Sequence, residues 1–352
     1  MTTALSKVEI SYIRSSLLSA PPLRADGRSP EDFRPIAIET GVAPLANGSA
    51  RVSIGESRTG RETEAEGAGG GTEVVAAVKL EVDGVGEDKE GGKVICNVSC
   101  SPAAYPHLSS PALDDLQSDL TSVLGSVLSH PSLCPKNLVI VPGQKAWALR
   151  LDTIIFADAG NVLDSLMMAC RAALVDTRVP STRSVEYRAP GRRNEVSDDI
   201  MDVDEGRNGP SSLLETREPS RIVDFELTDY WDEGGVLEAR DSWPVCVTLN
   251  MLPTMHFLDA TSQEESAIPL RLHAMFAFPG GKPTLHGMRM AGAGTSDLSQ
   301  IRILLKDAEK YARNMWTGLE AKLAEEEARR SIKARETVLW QAATITNTFP
   351  NA

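Results

Sequence analysis

The sequence lacks the marks of a membrane, secreted or zinc-binding protein. No apolar run approaches the roughly 18 residues that cross a bilayer, and the longest runs, at 138–141 and 153–157, have the length of a strand. Lys7, Glu9 and Arg14 interrupt the apolar residues near the N-terminus, which disfavours a secretory signal. The five cysteines form no CxxC pair, and their odd number suits reduced thiols. We therefore expect an intracellular protein with no metal site and no membrane contact.

Basic residues are also scarce. The chain has 36 Lys and Arg against 49 Asp and Glu, a formal charge of −13. Because affinity for nucleic acids rests largely on cations that neutralise phosphates, we expect the chain alone to bind RNA poorly. A role with RNA would need basic residues gathered on one face, or a path completed by partner chains.

The residues that are present are typical of a folded globular protein. Hydrophobic residues make up 41% and charged residues 24% of the 352 positions, close to globular averages. The length exceeds the usual single domain of about 100 to 150 residues, so it predicts one large unit or two fused ones.

Hydrophobic periodicity predicts a strand-then-helix order that occurs twice. An amphipathic helix at 4–18 is expected to pack on a neighbour. The first half then has strands, expected to form one antiparallel sheet, at 36–42, 50–54, 73–82 and 93–98; a helix at 111–128; strands at 137–141 and 146–156; and an apolar helix at 161–174, buried against a sheet. The second half has strands at 222–227, 245–251, 255–259, 270–278 and 284–290, and a long helix from near Asp297.

Two segments without periodicity, 56–72 and 190–220, are predicted to be disordered insertions. They give the proposed division of the chain: an N-terminal helix at 1–23, a first half at 24–189, the insertion at 190–220, a second half at 221–318, and a charged C-terminal helix and tail at 319–352.

Several short motifs carry a family resemblance. The runs RADGR at 24–28, FRPI at 33–36 and ANGSARV at 46–52 resemble the opening of the RNase PH family. The run LDTIIFADAGN at 151–161, continuing to Asp164, resembles the family's strand-turn-helix in the form found in ring subunits similar to ribosomal RNA-processing protein 42. PVCVT at 244–248 and DATSQEE at 259–265 are similar to the second half of that subfamily.

The resemblance implies both a fold and an assembly. The fold would be α/β (α+β) and RNase PH-like, with two strand-helix halves packed as a sandwich and disordered insertions between the elements. Six such folds would close a ring around a channel.

The phosphate pocket of active RNase PH relatives is not matched. Those relatives have a G-T-R-T turn whose Thr and Arg hold phosphate, and here the corresponding turn has Gly160, Asn161, Val162 and Leu163. A second phosphate-binding Arg lies on their preceding helix, but residues 114–128 contain no basic residue. Because a phosphate dianion in a partly dry pocket needs cationic, bidentate partners, we predict that this pocket is degenerate.

Other catalytic patterns are also missing. The D-L-N-x-x-E-D motif of active relatives is represented only by scattered carboxylates such as Asp229 and Asp232, which we interpret as a solvated loop. HExxH and nucleophile-elbow motifs are absent, and Lys282 of the Gly-Gly-Lys run precedes Pro283 rather than the Ser or Thr of a P-loop. We therefore predict no catalytic residue and no cofactor.

The remaining candidate residues are basic. Arg24, Asp26 and Arg28 are interpreted as a structural salt-bridge knot, since arginine forks suit carboxylate pairing inside an assembly, and Arg51 is also assigned a structural role. Contacts with RNA are considered for Lys136, Lys145, Arg150 and Arg289.

These inferences favour a non-catalytic ring subunit of a eukaryotic RNA exosome. The expected partners are other RNase PH-like subunits in a hetero-oligomeric ring, cap subunits with RNA-binding domains, associated nucleases, and RNA passing through the assembled channel. The expected location is nucleus, nucleolus and cytoplasm. The main alternative is an active phosphate-dependent 3′ to 5′ exoribonuclease, which needs an arginine pocket that the sequence does not reveal. A free-standing RNA-binding module would need a basic stripe.

Overall fold

The structure is a computed structural model, and it describes residues 5–55, 71–84, 91–187, 222–227, 234–294 and 297–348. The predicted insertion at 190–220 and nearly all of the one at 56–72 lie outside the described residues. Within those described ranges no helix is both long and apolar enough to cross a membrane.

The first part of the chain forms three helices and a large sheet. Its elements are α1 (Lys7–Leu17), β1 (Ile36–Thr40), β2 (Gly48–Ile54), β3 (Thr72–Gly84), β4 (Lys93–Cys100), α2 (Ser110–Leu128), β5 (Val139–Val141), β6 (Lys145–Ala157) and α3 (Val162–Asp176). The sheet has the strand order β1-β2-β3-β6-β4, and β5 also pairs with β6.

The second part forms a smaller sheet and two helices. Its elements are β7 (Arg178–Val179), β8 (Thr182–Tyr187), β9 (Ile222–Leu227), β10 (Gly235–Val236), β11 (Val245–Met251), β12 (His256–Phe257), α4 (Ser262–Ala267), β13 (Arg271–Ala277), β14 (Thr284–Ala291) and α5 (Leu298–Thr348). The smaller sheet has the order β12-β11-β13-β14, and all its pairs are antiparallel.

The prediction of one antiparallel sheet for the first four strands is wrong in one pairing. Strand β4 lies parallel to β6, so the larger sheet is mixed. Parallel neighbours need a long crossover connection, and α2 with the residues after it supplies one between β4 and β6. The sequence pattern predicts the strands. It does not show that the chain returns through α2, so that β6 runs in the same direction as β4.

The helices α2 and α3 lie between the two sheets, as the sandwich prediction requires. Helix α3 contacts β1, β2, β3 and β6 on one side and β11 on the other, and α2 contacts both β4 and β14. Every residue of α3 from Leu163 to Leu174 is buried, because an apolar sheet covers the helix on both sides. The predicted buried helix at 161–174 is therefore confirmed.

The boundary predicted at residue 221 does not coincide with the division between sheets. Strand β9 pairs with β8 and β10 pairs with β7, so the 190–220 insertion connects the two strands of one hairpin. The smaller sheet begins only at Val245. Helix α5 runs without interruption across residue 318 into the charged C-terminal segment, as the predicted long helix from near Asp297 does.

The N-terminal helix packs on its own chain through one face. Leu17, Ile10 and Ile13 of α1 join a small apolar cluster with Phe257 and Ile268 beside α4. Ser6 caps the helix, and Glu9 completes a capping box with it, which satisfies backbone donors at the first turn. The packing brings the motif at 24–28 against the second half of the chain.

Candidate functional site

The turn that starts α3 is held in a strained, tightly packed conformation. Gly160 has a φ of +93°, and a Cβ placed there would lie 2.4 Å from the carbonyl oxygen of Ala260. Asn161 also adopts the left-handed region, with a φ of 60°. Only a residue without a side chain fits at position 160, so the turn is fixed against the loop before α4.

The backbone amides of this turn already bind carboxylates. The N–H of Asn161 donates to Glu265 Oε1 at 2.9 Å, and the N–H of Gly160 donates to Asp158 Oδ1 at 2.8 Å. Amides at a helix N-terminus form a ready anion site. Here the chain's own carboxylates occupy the amides of Gly160 and Asn161, and Val162 adds no side-chain donor.

A cleft of about 230 Å³ opens at this turn, and we call it the α3 cleft. Its walls come from α2, the start of α3, and strands β11, β13 and β14. Its charged lining side chains are Asp119, Asp158, Glu265, Arg271 and Arg289. Three carboxylates therefore face two arginines, and the lining has a net negative formal charge.

Both arginines of the α3 cleft are paired. Arg271 Nη1 lies 3.2 Å from Glu265 Oε1, and Arg289 Nη2 lies 2.9 Å from Asp119 Oδ1. Arg271 is a residue that the sequence reasoning missed. Its signal was available in the period of two along β13, which puts Arg271 and His273 on one face, with Arg289 opposite His273 on β14.

A buried hydrogen-bonded chain lies behind the α3 cleft. Thr248 Oγ1 donates to Asp164 Oδ1 at 2.7 Å and lies 2.9 Å from His273 Nδ1. Burial is the main cause that raises the pKa of Asp164 to about 7. Burial, helped by nearby arginines, lowers the pKa of His273 to about 4. His273 is therefore neutral at neutral pH and adds no positive charge to the cleft.

Arg24 is the centre of a separate buried cluster, which we call the arginine knot. Its Nε and Nη2 bind Glu264 at 2.9 Å and 2.7 Å, and two further bonds reach the carbonyl oxygens of Leu258 and Asp259. The cation also lies 5.2 Å from the ring centre of Phe257. All these partners belong to the second half, so Arg24 ties the N-terminal segment to it.

Asp259 binds two more arginines of the arginine knot. Arg28 Nη1 lies 2.7 Å from its Oδ2, and Arg34 Nη2 lies 2.7 Å from its Oδ1. Arg34 also donates to the carbonyl oxygens of Ala159 and Gly160, so it links the loop before α3 to the loop before α4. Asp26 pairs with Arg28 at 2.6 Å. The knot therefore fixes the turn that begins the α3 cleft.

The other predicted basic residues do not converge on one site. Lys145 pairs with Asp224 at 2.7 Å, Arg150 pairs with Glu81, and Lys136 is exposed on a turn before β5. These three lie on or beside the larger sheet, whereas Arg289 lies on the smaller one. Arg51 lies 2.8 Å from Glu73 of the neighbouring strand.

The scattered carboxylates Asp229 and Asp232 lie outside the described residues. In the part of the chain that the structure describes, no group of three or more His, Cys, Asp or Glu residues is placed to hold a metal ion.

Comparisons with a family model and with known proteins agree with the resemblance to the RNase PH family. Residues 32–180 match the RNase_PH family, described as 3′ exoribonuclease family, domain 1. The exosome complex component rrp42 of Schizosaccharomyces pombe is 27% identical over 266 residues, covering 74% of this chain and 75% of the relative. A Dictyostelium discoideum protein named "Putative exosome complex exonuclease RRP42" is 25% identical over 300 residues, covering 71% of this chain and 78% of the relative.

The archaeal relatives match over a shorter region. The exosome complex component Rrp42 of Thermoplasma volcanium is 30% identical over 181 residues, which span 51% of this chain and 63% of the relative. Among solved structures, a chain of the Archaeoglobus fulgidus exosome with RNA bound to its active site superposes with a TM-score of 0.59 at 22% identity, covering 88% of this chain and 97% of that one. This superposition confirms the RNase PH-like fold.

Proposed function

Because the chain belongs to the RNase PH family, we propose that it is a non-catalytic subunit of an RNA exosome ring. In this role it scaffolds the ring and forms part of the wall of the RNA channel, and so supports 3′ to 5′ RNA processing and degradation. The assembly is proposed from relatives named as exosome complex components, and the absence of catalysis is proposed from the chemistry of the α3 cleft.

The proposed lack of catalysis rests on one observation: the carboxylates of Glu265 and Asp158 accept hydrogen bonds from backbone amides of the α3 turn. A phosphate could bind the Asn161 and Gly160 amides only by displacing these carboxylates, and it would meet a lining of net negative charge. Charge repulsion in a partly desolvated cleft opposes a dianion. The side chain of Val162 has no hydrogen-bond donor that could hold a phosphate in place of the Thr or Arg of active relatives.

The proposed function includes three kinds of protein partner. They are other RNase PH-like subunits in a hetero-oligomeric ring, cap subunits with RNA-binding domains, and nucleases that perform the cleavage. RNA would meet this chain only within the assembled channel, as the net charge of −13 suggests. The proposed location is nucleus, nucleolus and cytoplasm.

The test of the assembly is affinity purification of the tagged chain, expressed at its native level, with quantitative mass spectrometry of the stoichiometric partners. We expect five other RNase PH-like chains together with cap proteins. Recovery of the chain alone, or as a homohexamer, would contradict the ring proposal.

One observation favours the second candidate, an active phosphate-dependent exoribonuclease. Arg271 and Arg289 stand beside the α3 turn, and the Nε of Arg271 is buried without a hydrogen-bond partner among the described residues. An arginine pocket of this kind could be opened if Glu265 and Asp119 moved away. Formation of nucleoside diphosphates from RNA and inorganic phosphate by the purified chain would establish this candidate and exclude the silent subunit.

A further inference from the structure

A second cleft, of about 690 Å³, is built from elements that the candidate site does not use. Its walls are the turn between β1 and β2, the C-terminal end of α3, the short turn at Arg240–Ser242, and the part of α5 from Glu320 to Ser331. None of its lining residues belongs to the α3 cleft. A volume of this size is typical of pockets that receive a ligand or a partner segment.

Most charged side chains of this second cleft are paired within the chain. Arg178 Nη2 lies 3.5 Å from Glu327, and Arg330 pairs with Asp176. The guanidinium of Arg330 also lies against Gly41, where it holds α5 to the turn between β1 and β2. These pairs give the cleft walls a defined shape.

Arg240 differs from the other arginines of the second cleft. Across the described part of the chain its guanidinium forms no close ion pair, and its buried Nε has no hydrogen-bond partner. Arg178 lies near enough to repel it: burial and then this second arginine are the main causes that lower the pKa of Arg240. The carboxylates of Glu327, Asp176 and Glu320 act on it only from a longer distance.

A buried guanidinium nitrogen without a partner is costly, because it has lost its hydrogen bond to water and no group of the described residues replaces that bond at the Nε of Arg240. The backbone around Arg240 adds to this cost, since Ala239 holds a left-handed φ of 57° immediately before it. An external anion placed against Arg240 would remove the penalty and would also screen the repulsion from Arg178.

We propose that the second cleft is a docking site for a partner protein, and that a carboxylate side chain of this partner binds the guanidinium of Arg240. The arginine fork suits a carboxylate, which it can bind through two parallel hydrogen bonds. The cleft favours a protein over RNA because its lining has mixed charge: the four carboxylates of Asp176, Asp241, Glu320 and Glu327 lie among the three arginines Arg178, Arg240 and Arg330. The carboxylates would repel a continuous chain of phosphates but can pair with the mixed charges of a protein surface. The proposal does not depend on the proposed function.

The test uses the full chain in cells. A photo-crosslinking amino acid replaces Ser331 on the cleft wall, and mass spectrometry identifies the crosslinked peptide. We expect a protein peptide with an Asp or Glu within a few residues of the crosslink. Arg240→Glu should reduce its yield at least tenfold, and Arg240→Gln should reduce it less. The matched control is Arg302→Glu, which reverses an exposed arginine of α5 outside the cleft and should leave the yield unchanged.

A charge swap decides whether the carboxylate is the ligand. Replacing the identified partner carboxylate by Arg should restore crosslinking to the Arg240→Glu chain. Crosslinks to RNA, a yield that Arg240→Glu does not change, or a swap that restores nothing would each overturn the proposal. Since Arg240 forms no close side-chain ion pair with any residue that the structure describes, Arg240→Gln should keep the wild-type circular dichroism and melting temperature. Loss of the fold in Arg240→Gln would also overturn it, because it would show that Arg240 is needed internally.

Discussion

The arginine knot and the α3 cleft use the same two chemical groups but differ in burial. In the knot, the side chains of Asp259 and Arg24 are fully buried, and Asp259 binds two arginines. In the cleft, the side chains of Arg289 and Asp119 are 40% and 51% exposed, and each has one charged partner. The knot is therefore a structural joint, whereas the cleft holds its charges loosely.

The difference shows how a fold can keep the shape of a phosphate site while its side chains no longer favour phosphate binding. The knot fixes the loops before α3 and α4, so the turn at Gly160 keeps the geometry of an anion site. The carboxylates of Glu265 and Asp158, which belong to the same chain, then accept the hydrogen bonds of the Asn161 and Gly160 amides. Because exposed ion pairs contribute little to stability, the carboxylate of Asp119 matters more for excluding anions than for folding.

The largest expected effect is on the arginine knot. Asp259→Asn keeps the size of the side chain and tolerates the left-handed backbone at this position, but it leaves Arg28 and Arg34 without a buried counter-charge. We expect the free energy of unfolding to fall by about 3–5 kcal/mol. Urea denaturation measures it, and Asp119→Asn in the α3 cleft is the control, with an expected change below about 1 kcal/mol. Equal effects of the two variants would remove the distinction between the regions.

The next effect concerns the buried carboxylate behind the α3 cleft. The pKa of Asp164 is about 7 in the folded chain, above its ordinary value of 3.8, so the folded state binds more protons than the unfolded state between these values. The stabilising contribution of Asp164 is full below pH 4 and is lost as the pH rises to 7. At about 1.4 kcal/mol per pKa unit, the loss is roughly 4 kcal/mol.

Asp164→Asn isolates this contribution because it cannot ionise. Subtracting the unfolding free energy of Asp164→Asn from that of the wild type should give a difference that falls between pH 4 and 7 and is flat above pH 8. A difference that rises with pH would show that hydrogen bonds from Thr248 outweigh burial.

A smaller effect tests the coupling inside the arginine knot. Arg24→Met or Glu264→Met alone leaves a buried charge, so each should destabilise strongly, whereas the double variant removes both charges. We expect the double variant to be more stable than the sum of the single losses predicts, by about 1–3 kcal/mol. Chemical denaturation of the four chains gives this coupling energy. A coupling near zero would mean that the carbonyl partners of Arg24 carry its role.

The smallest effect is a gain of anion binding in the α3 cleft. Glu265→Gln combined with Asp119→Asn releases Arg271 and Arg289, and we expect about tenfold tighter binding of inorganic phosphate, or roughly 1.4 kcal/mol. Isothermal titration of the wild-type and double-variant chains with phosphate measures it. Equal affinities would show that the carboxylates do not exclude the anion.

The sequence predicted most elements because their causes are local. The apolar residues of α3 and the alternation along β3 and β6 fixed these elements without tertiary information, and Gly160 pointed to the turn before α3. The parallel pairing of β4 was not predictable in this way, since it depends on how the chain returns after α2. Short strands such as β7 and β10 have too few residues to show a period.

Only part of the α3 cleft could be predicted from the sequence. The loss of basic residues near Val162 and on α2 could be read directly, because those residues are contiguous with recognisable motifs. Arg271 and Glu265 were not recognised as partners of the turn, since a hundred residues separate them from Asn161 and only the packing of the smaller sheet brings them together. The arginine knot was placed on the right residues at 24–28, but its principal partners, Asp259 and Glu264, could not be identified without the fold.

The most direct test of the central claim is a phosphorolysis assay on the assembled complex. Rings that contain the wild-type chain or the Arg271→Ala, Arg289→Ala double variant are incubated with RNA and inorganic phosphate, and the release of nucleoside diphosphates is measured. A silent subunit predicts equal rates for the two rings, and no release from the purified wild-type chain alone. Release by that chain, or a rate that the double variant abolishes, would contradict the claim and make the α3 cleft an active site.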